Sequence, residues 1–302
     1  MQKARIAVVG FGNVGSAAVA AIKESPDMEV AGIILRNPAK VPGVQKEVGD
    51  IPVVTDVKEL GKVDVAVLGV ASRAVPELAP KYLAMGINTV DSFDIHGEAV
   101  IKLRADLDKI ARVHDAVAVI SAGWDPGTDS MIRTVMEAIA PKGITYTNFG
   151  PGMSMGHTVA VKAIEGVEDA VSMTIPEGTG LHKRMVYVKI KEDYEFEKVA
   201  EAIKKDPYFL HDETYVYRVD DVESLIDVGH GVHMERKGVS GNTHNQRMEF
   251  IMSVTNPAAT AQVMVSAARA SLKQKPGCYT LPEIPPIDFI YGDKNILLFR
   301  LV

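Results

Sequence analysis

The chain of 302 residues contains one cysteine, Cys278. An intrachain disulfide and a cysteine-based zinc site are therefore excluded, and a reducing compartment is expected. It has no excess of basic residues: 33 Lys and Arg stand against 39 Asp and Glu, a formal net charge of −6. That balance argues against nucleic acid or an anionic membrane surface as a partner. No apolar run reaches the roughly 18 residues that a membrane helix needs. The first residues lack the basic, apolar and small-residue succession of a signal peptide and enter a strand pattern at Ala4-Arg5-Ile6-Ala7-Val8-Val9. A cytoplasmic protein is expected. Internal repeats and low-complexity stretches are absent. Tryptophan is almost so, the single one being Trp124.

What is present reads as two domains with their own cores, since hydrophobic residues make up 47% and charged residues 24% of a chain of this length. In the first half, apolar β-rich runs at 6–9, 29–35, 63–69, 87–90 and 116–120 are joined by helical patterns at 14–24, 75–85 and 98–113. Strands apolar on both faces, alternating with helices, predict a parallel sheet covered on both sides. Residues 37–52, with Pro38, Pro42, Gly43, Gly49 and Pro52, read as an irregular loop after the second strand. Another helical pattern follows at 129–139, and beyond it the character changes. Longer strands at 167–175, 184–190, 214–219 and 248–254, with helices at 195–205 and 258–272, predict a largely antiparallel sheet in an α+β domain. The tail after Lys275, with Pro276, Pro282, Pro285 and Pro286, reads as an extended strap returning to the first domain. The expected division is 1–124 for a dinucleotide-binding domain and 125–274 for a substrate-binding and dimerisation domain, with 275–302 packing back on the first.

The first strand runs into Gly10-Phe11-Gly12-Asn13-Val14-Gly15, a G-x-G-x-x-G pattern that opens a helix. The pattern alone is weak; in this context it marks the Rossmann-type, doubly wound α/β arrangement. Gly10 serves the tight turn, Gly12 the approach of a pyrophosphate, and Gly15 the packing of helix on strand. The helix N-terminus adds free N–H groups and a positive dipole end. The second strand ends in Ile33-Ile34-Leu35-Arg36-Asn37. NAD enzymes usually place Asp or Glu here to accept from the ribose 2′-OH. Arg36 instead suits a 2′-phosphate, held by paired charge-assisted bonds, with Lys40 adding charge. NADP is the expected cofactor; the alternative is an arginine that merely faces solvent.

Two more segments converge on the carboxyl edge of the sheet, where such folds bind ligands. Val90-Asp91-Ser92-Phe93-Asp94 follows the fourth strand, and Ser121-Ala122-Gly123-Trp124-Asp125-Pro126-Gly127 follows the fifth. A large aromatic beside a carboxylate on a Gly/Pro-rich turn is poorly explained by core packing. Three carboxylates this close disfavour joint ionisation unless a cation is bound, and a substrate ammonium would be that cation. One of Asp91 and Asp94 could instead cap the next helix.

With these segments, with Phe149-Gly150-Pro151-Gly152-Met153-Ser154-Met155-Gly156-His157, and with His182-Lys183-Arg184, the chain resembles the meso-diaminopimelate dehydrogenases nearly end to end. The resemblance implies a homodimer that uses NADP to deaminate the D-centre of meso-2,6-diaminopimelate, giving L-2-amino-6-oxopimelate and ammonia. It implies Asp94 and Asp125 as catalytic carboxylates at the D-centre ammonium, with Asp91 near. Trp124 would wall the reacting carbon, and the backbone around Met155 and Gly156 would hold the nearby carboxylate. At the distal L-centre it implies Arg184 as a carboxylate clamp, Thr174 and His230 as neutral helpers, Phe149 lining the pocket, and Asn256 at the amine. Along the cofactor it implies the residues of the glycine turn with Arg36 and Asn37, then Ala71, Ser72, Ser92 and Gly123. The expected chemistry is hydride loss from Cα after the ammonium gives up a proton, addition of water to the iminium-type product, and departure of ammonia. Asp94, Asp125 or a water relay could take the proton.

One departure bears on selectivity. Familiar members carry a long charged insertion between the strands of the Thr174 and Arg184 equivalents; here the link is Pro176-Glu177-Gly178-Thr179-Gly180-Leu181. The alternative reading is a related NADP-dependent D-amino-acid or dicarboxylic amino-acid dehydrogenase with broader 2-oxo acid scope. A reading outside enzymes is a cofactor-bound regulator, against which the set Asp94, Trp124, Asp125 and Arg184 argues. No metal is expected, because His230-x-x-His233 on a strand points its rings to opposite faces. His157 reads as structural or backbone-orienting, Met153 and Met155 could be plain core, and Cys278 reads as incidental.

Overall fold

The computed structural model describes residues 3–226 and 229–302. They form two compact units, the residues up to Met131 together with Pro257–Val302, and Ile132–Asn256. In chain order the first unit holds β1 (Ala4–Val9), α1 (Asn13–Lys23), β2 (Met28–Ile34), α2 (Val41–Val48), β3 (Val53–Val54), β4 (Val65–Leu68), α3 (Val75–Leu83), β5 (Asn88–Asp91), α4 (Glu98–Val113) and β6 (Val117–Val119). The chain leaves it within α5 (Thr128–Ile139). The second unit contributes β7 (Lys142–Phe149), β8 (Gly152–Met153), α6 (Met155–Lys162), β9 (Val167–Gly178), β10 (Leu181–Ile190), α7 (Phe196–Lys205), β11 (Glu213–Arg218), β12 (Gly229–Ser240) and β13 (Thr243–Thr255). The chain then returns through α8 (Asn256–Ser271), β14 (Gly277–Tyr279) and α9 (Lys294–Leu301).

A seven-stranded sheet in the order β14-β6-β5-β4-β1-β2-β3, all pairs parallel, forms the first unit. The alternation along β1 shows why both faces are covered. Ile6 and Val8 enter one core with Ala18 and Ile22 of α1 and Met264 and Val265 of α8. Ala7 and Val9 enter the other, with Ala79 and Leu83 of α3 and Leu103 and Leu107 of α4. A strand with an apolar residue on each face can be stabilised only between two layers of helix.

Three sequence expectations need correction here. Residues 37–52 are not an irregular loop, because a short 3₁₀ turn (Pro38–Lys40) leads into α2. Pro42 stands in the first turn of α2, where its missing N–H breaks no helical bond. The boundary at 274 fails because α8 belongs to the first unit. Ala261, Met264, Val265, Ala267 and Ala268 are all fully buried, as expected of a helix serving as a layer of the sheet. Its Arg269 donates from Nε and Nη2 to both carboxylate oxygens of Asp27, at 2.6 and 2.8 Å. The tail is more than a strap: Gly277–Tyr279 add a parallel strand beside β6, and α9 ends the chain.

The second unit has two sheets rather than one. β11-β10-β9-β8 and β13-β12-β7 are antiparallel except for the β10–β11 pair. β7 was not anticipated, and β12 (Gly229–Ser240) only at His230–His233. α7 is amphipathic and buries Val199 and Ile203 against Val186, Val188 and Phe209. No helix among the described residues is long and apolar enough to cross a membrane.

Candidate active site

In the first unit the chain turns at the end of β1 with Gly10 in the left-handed region, φ +88°. A Cβ on Gly15 would meet the carbonyl oxygen of Gly10 at 2.2 Å, so α1 can begin only this close to the strand if residue 15 is glycine. Gly12, which caps α1, differs: a Cβ there would meet nothing within 4 Å. The space over its backbone is open, beside a helix N-terminus, and fits a pyrophosphate. Phe11 and Val14 are half-buried beside it, and Asn13 is exposed. Arg36 is exposed just past β2, and the Asn37 side chain accepts from the N–H of Ala39 at 3.0 Å, capping the turn that follows. This surface can hold a dinucleotide with a 2′-phosphate.

The carboxyl ends of β4, β5 and β6 meet in one cluster. Asp94 donates its N–H to the Ser72 hydroxyl at 3.1 Å, and the exposed Ala71 caps the turn that carries Ser72. Asp94 is half-buried, and its Oδ1 is shielded from solvent without a hydrogen-bond partner. That acceptor is poised for a donor, as an ammonium would be. A Cβ on Gly123 would lie 3.6 Å from Cβ of Ser92, so these two expected cofactor contacts are neighbours. The turn after β6 is closed by Gly123 N–H to Pro126 O at 2.9 Å and by Gly127 N–H to Asp129 Oδ1 at 3.0 Å. The carbonyl of Trp124 accepts from Asp129 N–H at 3.1 Å and from the Thr128 hydroxyl at 2.9 Å. The Trp124 side chain is buried and Asp125 half-buried.

Asp91 departs from its expected role. It is fully buried, so it presents no atom to a substrate ammonium. Its Oδ1 accepts from the N–H groups of Phe93 at 2.9 Å and Ser121 at 3.3 Å. Burial pushes its carboxyl up to about 7, against the pull of those two bonds.

In the second unit the expected residues also gather. β10 pairs with β9 so that Arg184 faces Thr174, and its Nη1 donates to the Thr174 hydroxyl. Gly152 pairs with Thr174, and a Cβ on it would lie 3.0 Å from Nδ1 of His230. Thr174 and His230 are buried. Met155 and Gly156 form the first turn of α6, whose free N–H groups suit a carboxylate. Phe149 ends β7 and donates its N–H to Nε2 of His182 at 2.7 Å. Asn256 opens α8.

Sequence reasoning missed two partners. Arg184 donates from Nε to Asp212 Oδ2 at 2.6 Å, and nothing in the spacing of 28 residues marks this pair. His182 was noted only as part of a motif; its acceptor role requires a neutral ring, and burial, then the charge of Arg184, lowers its proton affinity accordingly. His157 bonds through Nδ1 to the Ser154 hydroxyl at 2.8 Å and packs edge-on against Tyr208 and Phe209. Burial, followed by Arg184, takes it down to about 4, so it is neutral. Burial pushes the Cys278 thiol up and leaves it unreactive. Among the described residues no group of three or more His, Cys, Asp or Glu could hold a metal ion. A shallow depression lined by Glu24, Gln262, Arg269 and Tyr291 lies near the C-terminal end of α1 and holds none of the expected residues.

The parallel sheet, the glycine turn and the carboxylate-bearing turns at its carboxyl edge define an oxidoreductase with a dinucleotide-binding fold, and residues 4–90 match the oxidoreductase family with the NAD-binding Rossmann fold. Residues 123–181 match the diaminopimelic acid dehydrogenase C-terminal domain. The chain is 57% identical, over the whole of both chains, to the meso-diaminopimelate D-dehydrogenase of Bacteroides fragilis. It is similar over all of both chains to the Corynebacterium glutamicum DAP dehydrogenase in complex with DAP, at 30% identity and a TM-score of 0.87. It is also similar to an engineered D-amino acid dehydrogenase bound to NADP+, at 29% identity and a TM-score of 0.86, again over both whole chains. The chain belongs to the meso-diaminopimelate D-dehydrogenase family.

Proposed function

We propose that the chain catalyses the NADP-dependent oxidative deamination of the D-centre of meso-2,6-diaminopimelate to L-2-amino-6-oxopimelate and ammonia, reversible by reductive amination, in lysine biosynthesis. The observation that carries this reading is the full-length match at 57% identity to the Bacteroides fragilis relative. NADP+, when bound, supplies the hydride acceptor. The open backbone of Gly12 suits the pyrophosphate of either dinucleotide, and the exposed Arg36 supports NADP over NAD. Asp94 receives the D-centre ammonium through its unpartnered Oδ1 and, with Asp125, takes the proton that must leave before Cα can lose hydride. Trp124 walls the reacting carbon. Water then adds and ammonia departs.

The first turn of α6, at Met155 and Gly156, holds the nearby carboxylate. Arg184, steadied by Thr174, clamps the distal one, with His230, Phe149 and Asn256 around the L-centre. Holding the far end turns distal binding into orientation at the reacting carbon. The short β9–β10 connection favours a broader range of 2-oxo acids in the aminating direction. The protein acts in the cytoplasm as a homodimer, which light scattering tests directly.

The decisive assay follows NADPH absorbance with purified protein, meso-diaminopimelate and NADP+. A rate with the meso isomer, far above that with NAD+, is expected. A rate only with other amino acids would replace the substrate; none with any would favour a regulator.

A further inference from the structure

Asp91 is the last residue of β5, and three N–H groups converge on it. Phe93, two residues on, donates to Oδ1 and shapes the turn that leads to Asp94. Ser121, from the turn after β6, donates to the same oxygen. Ala122 donates to the backbone carbonyl of Asp91 at 2.7 Å. To send two successive N–H groups to one residue, the chain holds Ser121 in the left-handed region, at φ +53°. A non-glycine residue is disfavoured there and persists only where its surroundings impose it. The remaining oxygen, Oδ2, is buried without a hydrogen-bond partner. A carboxyl so enclosed serves as an acceptor for its neighbours and offers no charge to a ligand.

We propose that Asp91 is a positioning residue, whose Oδ1 ties the Asp94 turn to the Trp124–Asp125 turn and so fixes the arrangement of the groups that act at the D-centre. The proposal rests on the reading that those two turns meet the D-centre. The two turns come from adjacent strands, and Asp91 is the side chain that bonds to both. Untied, each can drift independently, and a misplacement of about 1 Å at the reacting groups costs on the order of a hundredfold in rate. Asn supplies the same acceptor oxygen without a charge. Glu keeps the titratable carboxyl but carries its oxygens one methylene further.

The test compares Asp91→Asn, Asp91→Glu and Asp91→Ala in the holoenzyme, with Asp94→Asn as reference. Asp91→Asn should keep kcat within about threefold. Asp91→Glu and Asp91→Ala should lower kcat on the order of a hundredfold, with a much smaller rise in KM for NADP, because Ser92 and Gly123 lie in the braced turns but the glycine turn is untouched. A ligand to the ammonium would give the reverse order, with Glu tolerated and Asn not. That order, or a kcat at the wild-type level in the Ala and Glu variants, overturns the proposal. If Asp91→Ala does not fold, the Asn–Glu comparison carries the test. If Asp94→Asn leaves kcat unchanged, the reading of the D-centre has failed rather than the role of Asp91.

Discussion

Because its carboxyl is enclosed, Asp91 should make the stability of the first unit fall as pH rises. Its ordinary value of 3.8 is raised to about 7 in the folded chain. A raised value means that the folded state prefers the neutral acid. Its full contribution is therefore present below about pH 4, where the unfolded chain is also protonated, and is lost as pH climbs toward 7. At about 1.4 kcal/mol per unit, a displacement of roughly three units corresponds to about 4 kcal/mol. Some of that is already gone at pH 5, leaving roughly 3 kcal/mol to disappear between pH 5 and 8. This is a large fraction of the ~5–15 kcal/mol that holds a domain together. The neighbouring Cys278 stays a thiol throughout and adds no titration of its own. The assay is urea unfolding followed by the fluorescence of Trp124, the single tryptophan, which lies in the turn that Asp91 braces. Asp91→Asn carries no titrating proton, so the stability difference between variant and wild type should move in favour of the variant by about 3 kcal/mol from pH 5 to 8. Parallel pH curves for the two proteins would refute the reasoning.

Three further outcomes are expected. Arg36→Ala should raise KM for NADP much more than for NAD, because only the former loses a charge-assisted contact; equal effects would remove Arg36 from the cofactor surface. Arg184→Ala should lower kcat/KM for meso-diaminopimelate by about 3 kcal/mol, on the order of a hundredfold, and an unchanged ratio would detach Arg184 from the substrate. Asp27→Ala should destabilise the first unit by about 3 kcal/mol at neutral pH, since it strands the buried Arg269 guanidinium. Burial pushes the Asp27 carboxyl up, but the bonds from Arg269 hold it below its ordinary value, so the contribution exists at neutral pH and is lost in acid. A variant as stable as the wild type at pH 7 would contradict that assignment.

The first unit was legible because its signals are local. Apolar β-rich runs, the spacing of Gly10, Gly12 and Gly15, and Arg36 just past β2 can each be read within a few residues. What failed was context. Pro42 and Gly43 looked like loop residues, yet proline is harmless in the first turn of a helix and Gly43 rides within it. The helix α8 lies far along the chain, so its place on the first sheet follows only from the burial of Ala261, Met264 and Ala268. Burial alternates along β12 from Gly229 to Arg236, but two of its inward positions are His230 and Arg236 rather than apolar residues, and glycines stand at 229, 231 and 238, which hid most of it. At the site, Asp94, Trp124 and Asp125 stood out as unusual residues on strand-end turns. The burial of Asp91 did not, since a carboxylate beside other carboxylates reads equally well as ligand or brace.

The sequence by itself determined a dinucleotide turn, a preference for a 2′-phosphate, and the residues that deserve a role, because each depends on neighbours a few positions apart. Only the tertiary structure decided what those residues do to one another. Arg184 meets Asp212 and Thr174 through strand pairing and a returning loop. Ser121 reaches back across to β5 to bond Asp91. Such contacts join positions remote in sequence, and their strength comes from burial, which no short stretch of chain can reveal.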